Sequence, residues 1–526
     1  MEFDYVIVGA GSAGCVLANR LSADPSTRVC LLEAGPEDTS PLIHIPVGMA
    51  AILPTRHVNW AFNTVAQPGL GGRIGYQPRG KVLGGSSSIN GMIYIRGHQD
   101  DFNDWQALGN DGWSYADVLP YFRKSERHHG GGSEYHGGDG ELHVSPAHRH
   151  AATESFVEAA IRAGHRFNPD FNGAQQEGVG YYDVTIRDGR RWSTAAAFLK
   201  PIRQRSNLTV YTGVYAERIL LEGKRAVGVQ ARIYGNREKL KARKEVLVAA
   251  GAFGSPHLLM LSGIGPQAEL KPQGIPVKHE LPGVGQNLRD HADVVLCYKS
   301  SDTSLLGFSV AGSVPMGKAL IDYWRHKRGP LSSNCAEGGG FLKTDPSLAR
   351  PDIQLHSVIG GVDDHNRKLR WGHGFSCHVC VLRPKSIGSV GLASADPRTA
   401  PRIDPQFLSH DDDVQTLLKG YRMTREIIAQ QPLERLGLND IYSKNLHSDE
   451  QLIKLLRGRT DSIYHPVGTC KMGQDDMAVV DGQLRVHGID GLRVIDASVM
   501  PTLVGGNTNA ATIMIAERGA EWVASA

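Results

Sequence analysis

The sequence predicts an α/β fold, α+β overall, in which a Rossmann-like nucleotide-binding domain is joined to a discontinuous second domain of sheet and helices. The first observation is length, because 526 residues exceed what one hydrophobic core holds. The second is an apolar strand at residues 4–8 that runs into a glycine-rich turn and a helix-like stretch at 15–23. The third is a content of 62 glycines, clustered in motifs. Such clusters indicate tight turns and close approach of the backbone to a ligand.

The turn after the first strand carries a dinucleotide-binding fingerprint. Gly9, Gly11 and Gly14 form a G-x-G-x-x-G pattern, and a second apolar strand at 28–32 ends at Glu33. Gly9 allows the tight turn, Gly11 lets the backbone approach a pyrophosphate, and Gly14 lets helix and strand pack closely. Glu33 can accept hydrogen bonds from ribose hydroxyls and would repel a 2′-phosphate, which disfavours NADP. The alternative is a glycine-rich turn that binds no ligand.

Two further glycine-rich segments indicate which dinucleotide is bound. Residues 80–90 read GKVLGGSSSIN, and residues 251–256 read GAFGSP after an apolar strand at 246–250. NAD and FAD both fit the N-terminal fingerprint. The fingerprint and these two segments would each form a cradle, a ligand-binding surface made by the backbone. Three cradles suit a long, permanently held cofactor with a diphosphate and a tricyclic ring. The sequence therefore predicts FAD.

One histidine near the C-terminus is a candidate acid–base catalyst. His465 lies between Tyr464 and Pro466 in a loop punctuated by glycine and proline, and residues 506–512 further on read GNTNAAT. An imidazole titrates near neutral pH, so this position suits general acid–base chemistry. The alternative is a buried histidine that hydrogen-bonds the backbone.

Composition disfavours several other classes of protein. The formal net charge is +3 with scattered basic residues, so the clustered basic stripe of a nucleic-acid-binding protein is missing. Seven widely spread cysteines disfavour a disulfide framework and favour a reducing compartment. Cys377 and Cys380 form a CxxC pair without the second pair that a zinc ribbon needs. Residues 168–173 resemble the start of a calcium loop, but Val179 stands where the bidentate acid belongs. We therefore expect no bound metal.

The sequence predicts a cytoplasmic protein. A strand begins almost at the initiator methionine, and we see no basic region or cleavage site of a signal peptide before it. Apolar runs stay below the length of about 18 residues that crosses a bilayer, so we expect no membrane-spanning helix. Peripheral attachment to the inner face of the cytoplasmic membrane stays open, as does the oligomeric state.

The chain resembles the glucose–methanol–choline (GMC) oxidoreductase family over nearly its whole length. Residues 80–103 resemble the first family signature and residues 251–265 the second. The N-terminal fingerprint, the segment LPGVGQNL at 281–288 and the His465 loop follow in the expected order. The likeness is strongest to bacterial FAD-dependent alcohol dehydrogenases of the L-sorbose, polyethylene glycol and aliphatic alcohol type, then to choline dehydrogenases.

The resemblance implies roles for particular residues. It implies that His465 is the catalytic histidine and that Asn509 takes the place of a second histidine found in some members. Some relatives attach flavin covalently to a histidine of the first signature. Ile89 occupies that position here, so FAD is expected to be bound non-covalently. Glu337 is a candidate wall residue of the substrate pocket, with a structural role as the alternative.

The motifs and the resemblance together define the expected cofactor site. Val214 is placed on the adenine side, and Asp496 with Ala497 near the flavin end. Trp60 either lines the cofactor or packs in the core. The full set of expected cofactor-binding residues is Gly9, Gly11, Ser12, Ala13, Gly14, Glu33, Ala34, Trp60, Arg79, Val82, Gly84, Ser87, Asn90, Gly91, Met92, Val214, Asp496, Ala497, Asn507 and Thr508.

The expected reaction is the oxidation of a small alcohol to an aldehyde or ketone. A hydride passes to flavin N5, while His465 takes the hydroxyl proton and Asn509 hydrogen-bonds the same oxygen. The electrons then pass to a quinone or another non-oxygen acceptor. Three alternatives stay open, namely an oxidase that uses oxygen, a hydroxynitrile lyase and a flavin-binding protein without activity.

The expected domains follow the order of the motifs. The FAD-binding domain is predicted at residues 1–295, with 151–190 contributing to the substrate side. Residues 296–460 are predicted to form the substrate domain, and residues 461–526 to return, complete the FAD domain and carry the catalytic pair. Alternating residues around Gly235 and Asn236 predict a hairpin at 227–249, and further predicted elements are strands at 352–356 and 376–382 and a helix at 412–430.

Overall fold

Two sheets organise the molecule, for which a computed structural model describes residues 1–368 and 370–526. In this part of the chain one sheet has seven strands and the other eight. The first sheet contains, in spatial order, Leu208–Tyr211, Val29–Leu32, Glu2–Val8, Asn236–Val248, Arg225–Ile233 and Tyr215–Glu222, and Leu492–Val494 pairs with Asn236–Val248 as well.

The strand Glu2–Val8 lies at the centre of the first sheet because its side chains beyond Asp4 are apolar on both faces. Every residue after Glu2 is buried. The strand pairs in parallel with Val29–Leu32 on one side and with Asn236–Val248 on the other. Burial on both faces is typical of a doubly wound parallel sheet. Its carboxyl end leads through the fingerprint glycines into the helix Ser12–Leu21.

The C-terminal segment completes the core of this first sheet. The helix Asn509–Ala524 packs along the helix Ser12–Leu21. The Tyr5 hydroxyl donates a hydrogen bond to the carbonyl oxygen of Val523 at 3.1 Å. The beginning and the end of the chain therefore share one hydrophobic core.

The second sheet is antiparallel and is covered by helices on one face. In spatial order it contains Asn439–Asp440, Ala292–Ser300, Gly372–Val381, Ile353–Val358, Gly338–Leu342 and Gly178–Tyr181, with Gly307–Phe308 and Asp461–Ser462 paired at its side. The helices Ala151–Arg162 and Asp411–Ile428 pack on it. Because side chains alternate along a strand, the other face is free to turn polar groups toward the first sheet.

The remaining longer helices are Gln99–Ala107, Tyr115–Ser125, Gly251–Leu261, Val310–His326 and Asp449–Arg459. Across residues 1–368 and 370–526, we find no helix that combines the length and the apolar character needed to cross a membrane.

The elements predicted from the sequence are present with small shifts at their ends. The predicted hairpin consists of Arg225–Ile233 and Asn236–Val248. The predicted helix at 412–430 is Asp411–Ile428, and it begins where the His410 ring accepts a hydrogen bond from a backbone amide. The helix predicted from residue 15 begins three residues earlier, inside the glycine turn. The domain boundaries at 295 and 460 stay a prediction.

Candidate active site

A cleft of about 970 Å³ lies between the two sheets. Its walls include Val8 from the first sheet, Ala249 just after the strand Asn236–Val248, and His356 and His378 from the second sheet. This volume is at the upper end of the range of about 300–1,000 Å³ that is typical of ligand pockets. The cleft also receives all three glycine-rich segments, so the cofactor cradles and the candidate catalytic residues open into one space.

The fingerprint glycines are required for different physical reasons. Gly9 has φ +102°, and a Cβ there would lie 2.4 Å from the Ala249 carbonyl oxygen. A Cβ on Gly14 would lie 1.8 Å from the carbonyl oxygen of Gly9. Gly11 is different, because a Cβ there would have the Gly85 Cα, at 4.0 Å, as its nearest protein atom. The space beside Gly11 is open to the cleft, as a bound pyrophosphate requires.

Glu33 lies at the end of its strand with both carboxylate oxygens hydrogen-bonded. They accept from the amides of Ala10 at 3.0 Å and Gly35 at 2.8 Å. Burial raises the pKa of Glu33 to about 7, against these amides. The amide of Val214 donates to the Glu33 carbonyl at 2.9 Å, which brings Val214 to this end of the cleft.

Most of the expected cofactor-binding residues line the cleft. These are Gly9, Gly11, Ser12, Ala13, Glu33, Ala34, Trp60, Arg79, Asn90, Gly91, Met92, Val214, Asp496, Ala497, Asn507 and Thr508. Asp496 also accepts hydrogen bonds from the Gly251 amide at 2.8 Å and the Ser255 hydroxyl at 2.5 Å, and so holds the third glycine-rich segment in place.

Four of the expected cofactor-binding residues do not line the cleft. Each of them supports the conformation of a glycine-rich turn. Gly14 packs helix against turn, as described above. Val82 is fully buried in an apolar cluster with Ile89. Gly84 adopts φ +86°, and its carbonyl accepts from the Ser87 hydroxyl at 2.6 Å. Val82 and Ser87 thus support the loop, and their expected role in binding the cofactor stays a prediction.

His465 is a buried imidazole at the opposite end of the cleft from Glu33. Its backbone amide donates to Asp290 Oδ1 at 2.9 Å, and Tyr464 before it adopts φ +77°. Its Nδ1 lies 2.9 Å from Nδ1 of His291, and its Nε2 lies 3.1 Å from Nδ2 of Asn507. Burial, then the nearby His291, His356 and Arg79, hold the pKa of His465 well below its usual range. The ring is therefore neutral at pH 7, as a general base must be.

The expected pairing of His465 with Asn509 is not found, and Asn507 takes its place. Asn509 is the first residue of the C-terminal helix, and its Oδ1 accepts a hydrogen bond from the Ser12 hydroxyl at 2.6 Å. Asn507 precedes the helix in an irregular segment after Gly506. The start of the helix turns the second asparagine toward the fingerprint turn and leaves the first beside the imidazole.

Two histidines near His465 were missed by the sequence analysis. His356 is 3% exposed and lines the cleft, and burial lowers its pKa to about 3. His291 is fully buried behind His465, and burial lowers its pKa to about 3 as well. No local pattern marks them, because His356 reaches the cleft through the pairing of Ile353–Val358 with Gly372–Val381, where it lies opposite His378.

Glu337 is not among the residues that line the cleft, and its contacts favour the structural alternative over a place in the substrate wall. Its carboxylate is fully buried and accepts from the Ser333 hydroxyl and the His150 amide, each at 2.6 Å, and from Thr153 at 3.0 Å. It therefore fastens the start of the helix Ala151–Arg162 to the second sheet. Its neighbour Ala336 faces the cleft instead.

The described residues contain one cluster with the composition of a metal site. Ligand atoms of His128, His129 and Asp183 lie within 4.8 Å of one another. The Gly130 amide donates to His128 Nδ1 at 3.1 Å, so the ring proton is on Nε2, which faces Asp183 Oδ2 at 3.1 Å. A histidine that binds a metal through one nitrogen normally donates a proton from the other. The hydrogen-bond direction at His128 therefore indicates an ordinary histidine–carboxylate pair.

A dinucleotide fold that opens into a buried, neutral histidine–asparagine pair defines a nucleotide-dependent oxidoreductase as the class of protein. Comparison with known proteins then gives the family. The N-terminal model of the GMC oxidoreductases matches residues 3–293, and the C-terminal model matches residues 384–516. The chain belongs to the GMC oxidoreductase family, and this membership implies FAD as the cofactor.

Similar proteins support this assignment over the whole chain. Alcohol dehydrogenase (acceptor) of Pseudomonas putida is 47% identical over 99% of this chain and 95% of that protein. Mitochondrial choline dehydrogenase of Mus musculus is 44% identical over 99% of this chain and 89% of that protein. A solved structure that concerns FAD modification in Aspergillus oryzae formate oxidase has a TM-score of 0.92 at 28% identity and covers 100% of this chain and 98% of that chain.

Proposed function

We propose that this protein oxidises an uncharged alcohol to an aldehyde or ketone with non-covalently bound FAD and passes the electrons to a quinone or another non-oxygen acceptor. The observation that carries the proposal is the neutral His465 beside Asn507 in the cleft that also contains the glycine cradles. FAD, when bound, supplies the hydride acceptor. The chain supplies binding, orientation and the base.

The residues that would hold FAD are supported by the shape and polarity of the cleft. Open space beside Gly11 and the amide-rich turn before Ser12 suit the diphosphate. Glu33 lies where a ribose hydroxyl could donate to it. Ile89, at the position where some relatives attach flavin, lines the cleft and has no nucleophilic atom, which supports non-covalent binding.

His465 and Asn507 divide the work of deprotonation. Nε2 of His465 would take the hydroxyl proton, and Nδ2 of Asn507 would donate a hydrogen bond to the alkoxide oxygen that develops. Both side chains are already oriented by protein partners on their far sides, so little reorganisation is needed. Burial excludes water and strengthens these interactions.

The charges along the cleft favour an uncharged alcohol over choline. The cleft carboxylates within the described residues are Glu33 and Asp496, and both are occupied by backbone amides at the cofactor cradles. Glu337, the acid that could have paired with a cationic headgroup, is bonded away from the cleft. The wall beside His356 includes Val358 and Val362, which suits an alkyl chain.

Anaerobic mixing of the purified holoenzyme with an alcohol tests this proposal. We expect a primary aliphatic alcohol to bleach the flavin absorbance and choline at the same concentration to bleach it far more slowly. A quinone analogue should then restore the absorbance faster than air does. Faster bleaching by choline would contradict the substrate class, fast reoxidation by air would indicate an oxidase, and a flavin that no alcohol bleaches would indicate a lyase or an inert protein.

Peripheral binding to an anionic lipid surface is the second part of the proposal. The helix Val310–His326 exposes Val310 at 81% and Trp324 at 76%, with Ile321 on the same stretch. Exposed Lys318 and Arg325 add positive charge to this surface. An exposed apolar and aromatic stripe flanked by basic side chains suits the interface of a membrane whose lipids carry negative charge.

Sedimentation with lipid vesicles tests the membrane surface. The protein should sediment with phosphatidylglycerol vesicles at low salt, less with phosphatidylcholine vesicles, and the double variant Ile321→Ser, Trp324→Ser should stay in the supernatant. Ile74→Ser changes an exposed apolar residue on a β-hairpin outside this helix. It is the matched control and should behave as wild type. Equal sedimentation of all variants would overturn this part.

A further inference from the structure

A directed chain of hydrogen bonds ends at the imidazole of His465. The Tyr182 hydroxyl donates to the backbone carbonyl of Leu355 at 2.6 Å. A hydroxyl has a single proton, so the Tyr182 oxygen can only accept from Gln354 Nε2, which lies 3.4 Å away. The carbonyl of Leu355 has no proton to donate, and this fixes the direction of every bond that follows.

The side-chain amides of Gln354 and Asn507 extend this hydrogen-bond chain to Nε2 of His465. Gln354 Nε2 also faces Asn507 Oδ1 at 3.2 Å, which assigns the oxygen of the Asn507 amide to this side. Its Nδ2 must then face His465, at 3.1 Å from Nε2. An amide nitrogen donates and does not accept, so His465 Nε2 is the acceptor and carries no proton.

The other ring nitrogen of His465 meets a second imidazole. A neutral His465 without a proton on Nε2 carries it on Nδ1, which lies 2.9 Å from Nδ1 of His291. His291 must therefore accept at Nδ1 and carry its own proton on Nε2. The backbone carbonyls of Leu382 and Val504 lie near this ring and favour its protonated form. Nε2 of His291 itself has no hydrogen-bond partner among the described residues.

We infer that His291 is a positioning residue that, together with the donor amide of Asn507, holds His465 in its Nδ1–H tautomer and keeps Nε2 unprotonated where it faces the cleft. This inference rests on the proposed role of His465 as the base. His291 does not line the cleft and touches neither substrate nor cofactor space, so its effect passes through His465. Without an acceptor at this position, the proton of His465 can move to Nε2, where it blocks deprotonation of the alcohol.

Burial makes this selection effective. His291 is fully buried and His465 is 7% exposed, so water cannot replace the acceptor. Burial also keeps the pKa of both rings low, which excludes a shared extra proton at neutral pH. The groups that face His465 are His291, His356, Arg79 and the backbone-bonded Asp290, and Nδ1 of His291 is the one hydrogen-bonded to its Nδ1.

Nitrogen NMR of the holoenzyme labelled with ¹⁵N-histidine tests the tautomer directly. The His465 signals are assigned as those that vanish in His465→Ala. We expect Nδ1 of wild-type His465 to have the chemical shift of a protonated nitrogen and Nε2 that of an unprotonated one from pH 6.5 to 8. The reverse assignment, or a pair of averaged shifts, would overturn the inference in the wild-type protein itself.

Two substitutions of His291 separate its acceptor from its bulk. In His291→Asn the amide oxygen can occupy the position of Nδ1 and accept, while in His291→Leu the acceptor is lost. We expect His291→Leu to slow anaerobic flavin reduction at least about 10-fold, the loss of one buried hydrogen bond, with FAD content and the alcohol concentration for half-maximal rate nearly unchanged. His291→Asn should stay within about 3-fold of wild type.

The variants also distinguish failure of this inference from failure of the proposed function. If His465→Ala reduces its flavin at the wild-type rate, the histidine is not the base and both ideas fail. If His465→Ala is slow while His291→Leu is as fast as wild type with unchanged ¹⁵N shifts, the base is right and the positioning role is wrong. Equal slowing in His291→Asn and His291→Leu would also contradict an acceptor role.

Discussion

The two ends of the cleft are built by different parts of the polypeptide. At the cradle end, the backbone of consecutive residues around Gly9 and Gly11 forms the binding surface, and Glu33 follows on the next strand of the sheet. At the substrate end, side chains do the work, and His291, His356 and His465 come from distant segments. The fingerprint part of the proposed cofactor site is thus a local property of the sequence, whereas the proposed site of proton transfer depends on the tertiary fold.

The largest expected effect separates the two ends by removing the base. His465→Ala should slow anaerobic flavin reduction by about 10²–10⁴-fold, the usual contribution of a positioned general base. FAD content should stay at the wild-type level, because this imidazole is far from the cradle. Stopped-flow absorbance measures the rate, and flavin released by acid measures the content. A variant that loses its FAD would show that the two ends are coupled.

Asparagine substitutions test which amide belongs to the substrate end. Asn507→Ala should slow flavin reduction by about 10²–10³-fold, because one donor to the developing negative charge is lost. Asn509→Ala should cost much less in rate, since its side chain bonds Ser12 at the cradle. The same stopped-flow measurement compares them. A slower Asn509→Ala than Asn507→Ala would restore the pairing that the sequence alone suggested.

The converse experiment weakens the cradle. Glu33→Ala should reduce the affinity for FAD by about 10–100-fold, because hydrogen bonds to a charged group contribute about 1.5–3 kcal/mol. Turnover per bound flavin should be near wild type. Flavin content after gel filtration and reconstitution with free FAD give both quantities. Normal retention of FAD would show that Glu33 bonds only the backbone amides of Ala10 and Gly35 and not the cofactor.

The smallest expected effect is a pH dependence that belongs to the substrate end. His356 has a pKa of about 3 in the folded protein and about 6.5 when unfolded. Below pH 6.5 the unfolded chain binds the additional proton, so stability falls as the pH falls. The polar groups around the His356 ring are His291, Asn507 and His378, and His378 is hydrogen-bonded to Asp293.

A comparison of wild type with His356→Gln separates the contribution of His356 to the pH dependence of stability from that of the buried acids. Between pH 6.5 and 5, wild type should lose about 2 kcal/mol of unfolding free energy relative to His356→Gln, which cannot titrate. Urea unfolding at the two pH values measures the difference. Parallel loss of stability in both proteins would mean that His356 is hydrated or charged in the folded state.

The sequence identified most of the residues that line the cleft near the fingerprint turn and fewer of those around His465. Spacing sufficed for Gly9, Gly11 and Gly14 because strand, turn and helix are adjacent in the chain. The choice between Asn507 and Asn509 depended on the residue at which the last helix begins, which local preference places only to within a residue or two. The prediction chose the second asparagine, and the helix starts there.

Residues that act through long-range pairing were invisible in the linear pattern. His356 becomes part of the cleft through the register between Ile353–Val358 and Gly372–Val381. The sequence left two roles open for Glu337 because its partners come from the start of the helix Ala151–Arg162, nearly 190 residues earlier in the chain. A single acid in a glycine-rich stretch looks the same in sequence whether it faces a ligand or a helix amide.

The packing of the first helix against the last has a consequence for synthesis. A ribosome releases the fingerprint strand and the helix Ser12–Leu21 early, but their apolar partner, the helix Asn509–Ala524, emerges only after nearly five hundred further residues. Asn507 arrives in the same final stretch. A nascent chain interrupted before this point therefore lacks both the helix that covers the first one and the amide of the proposed catalytic pair. Premature termination should produce an inactive fragment with exposed apolar surface, which quality-control proteases can recognise. It should not produce an enzyme with reduced activity.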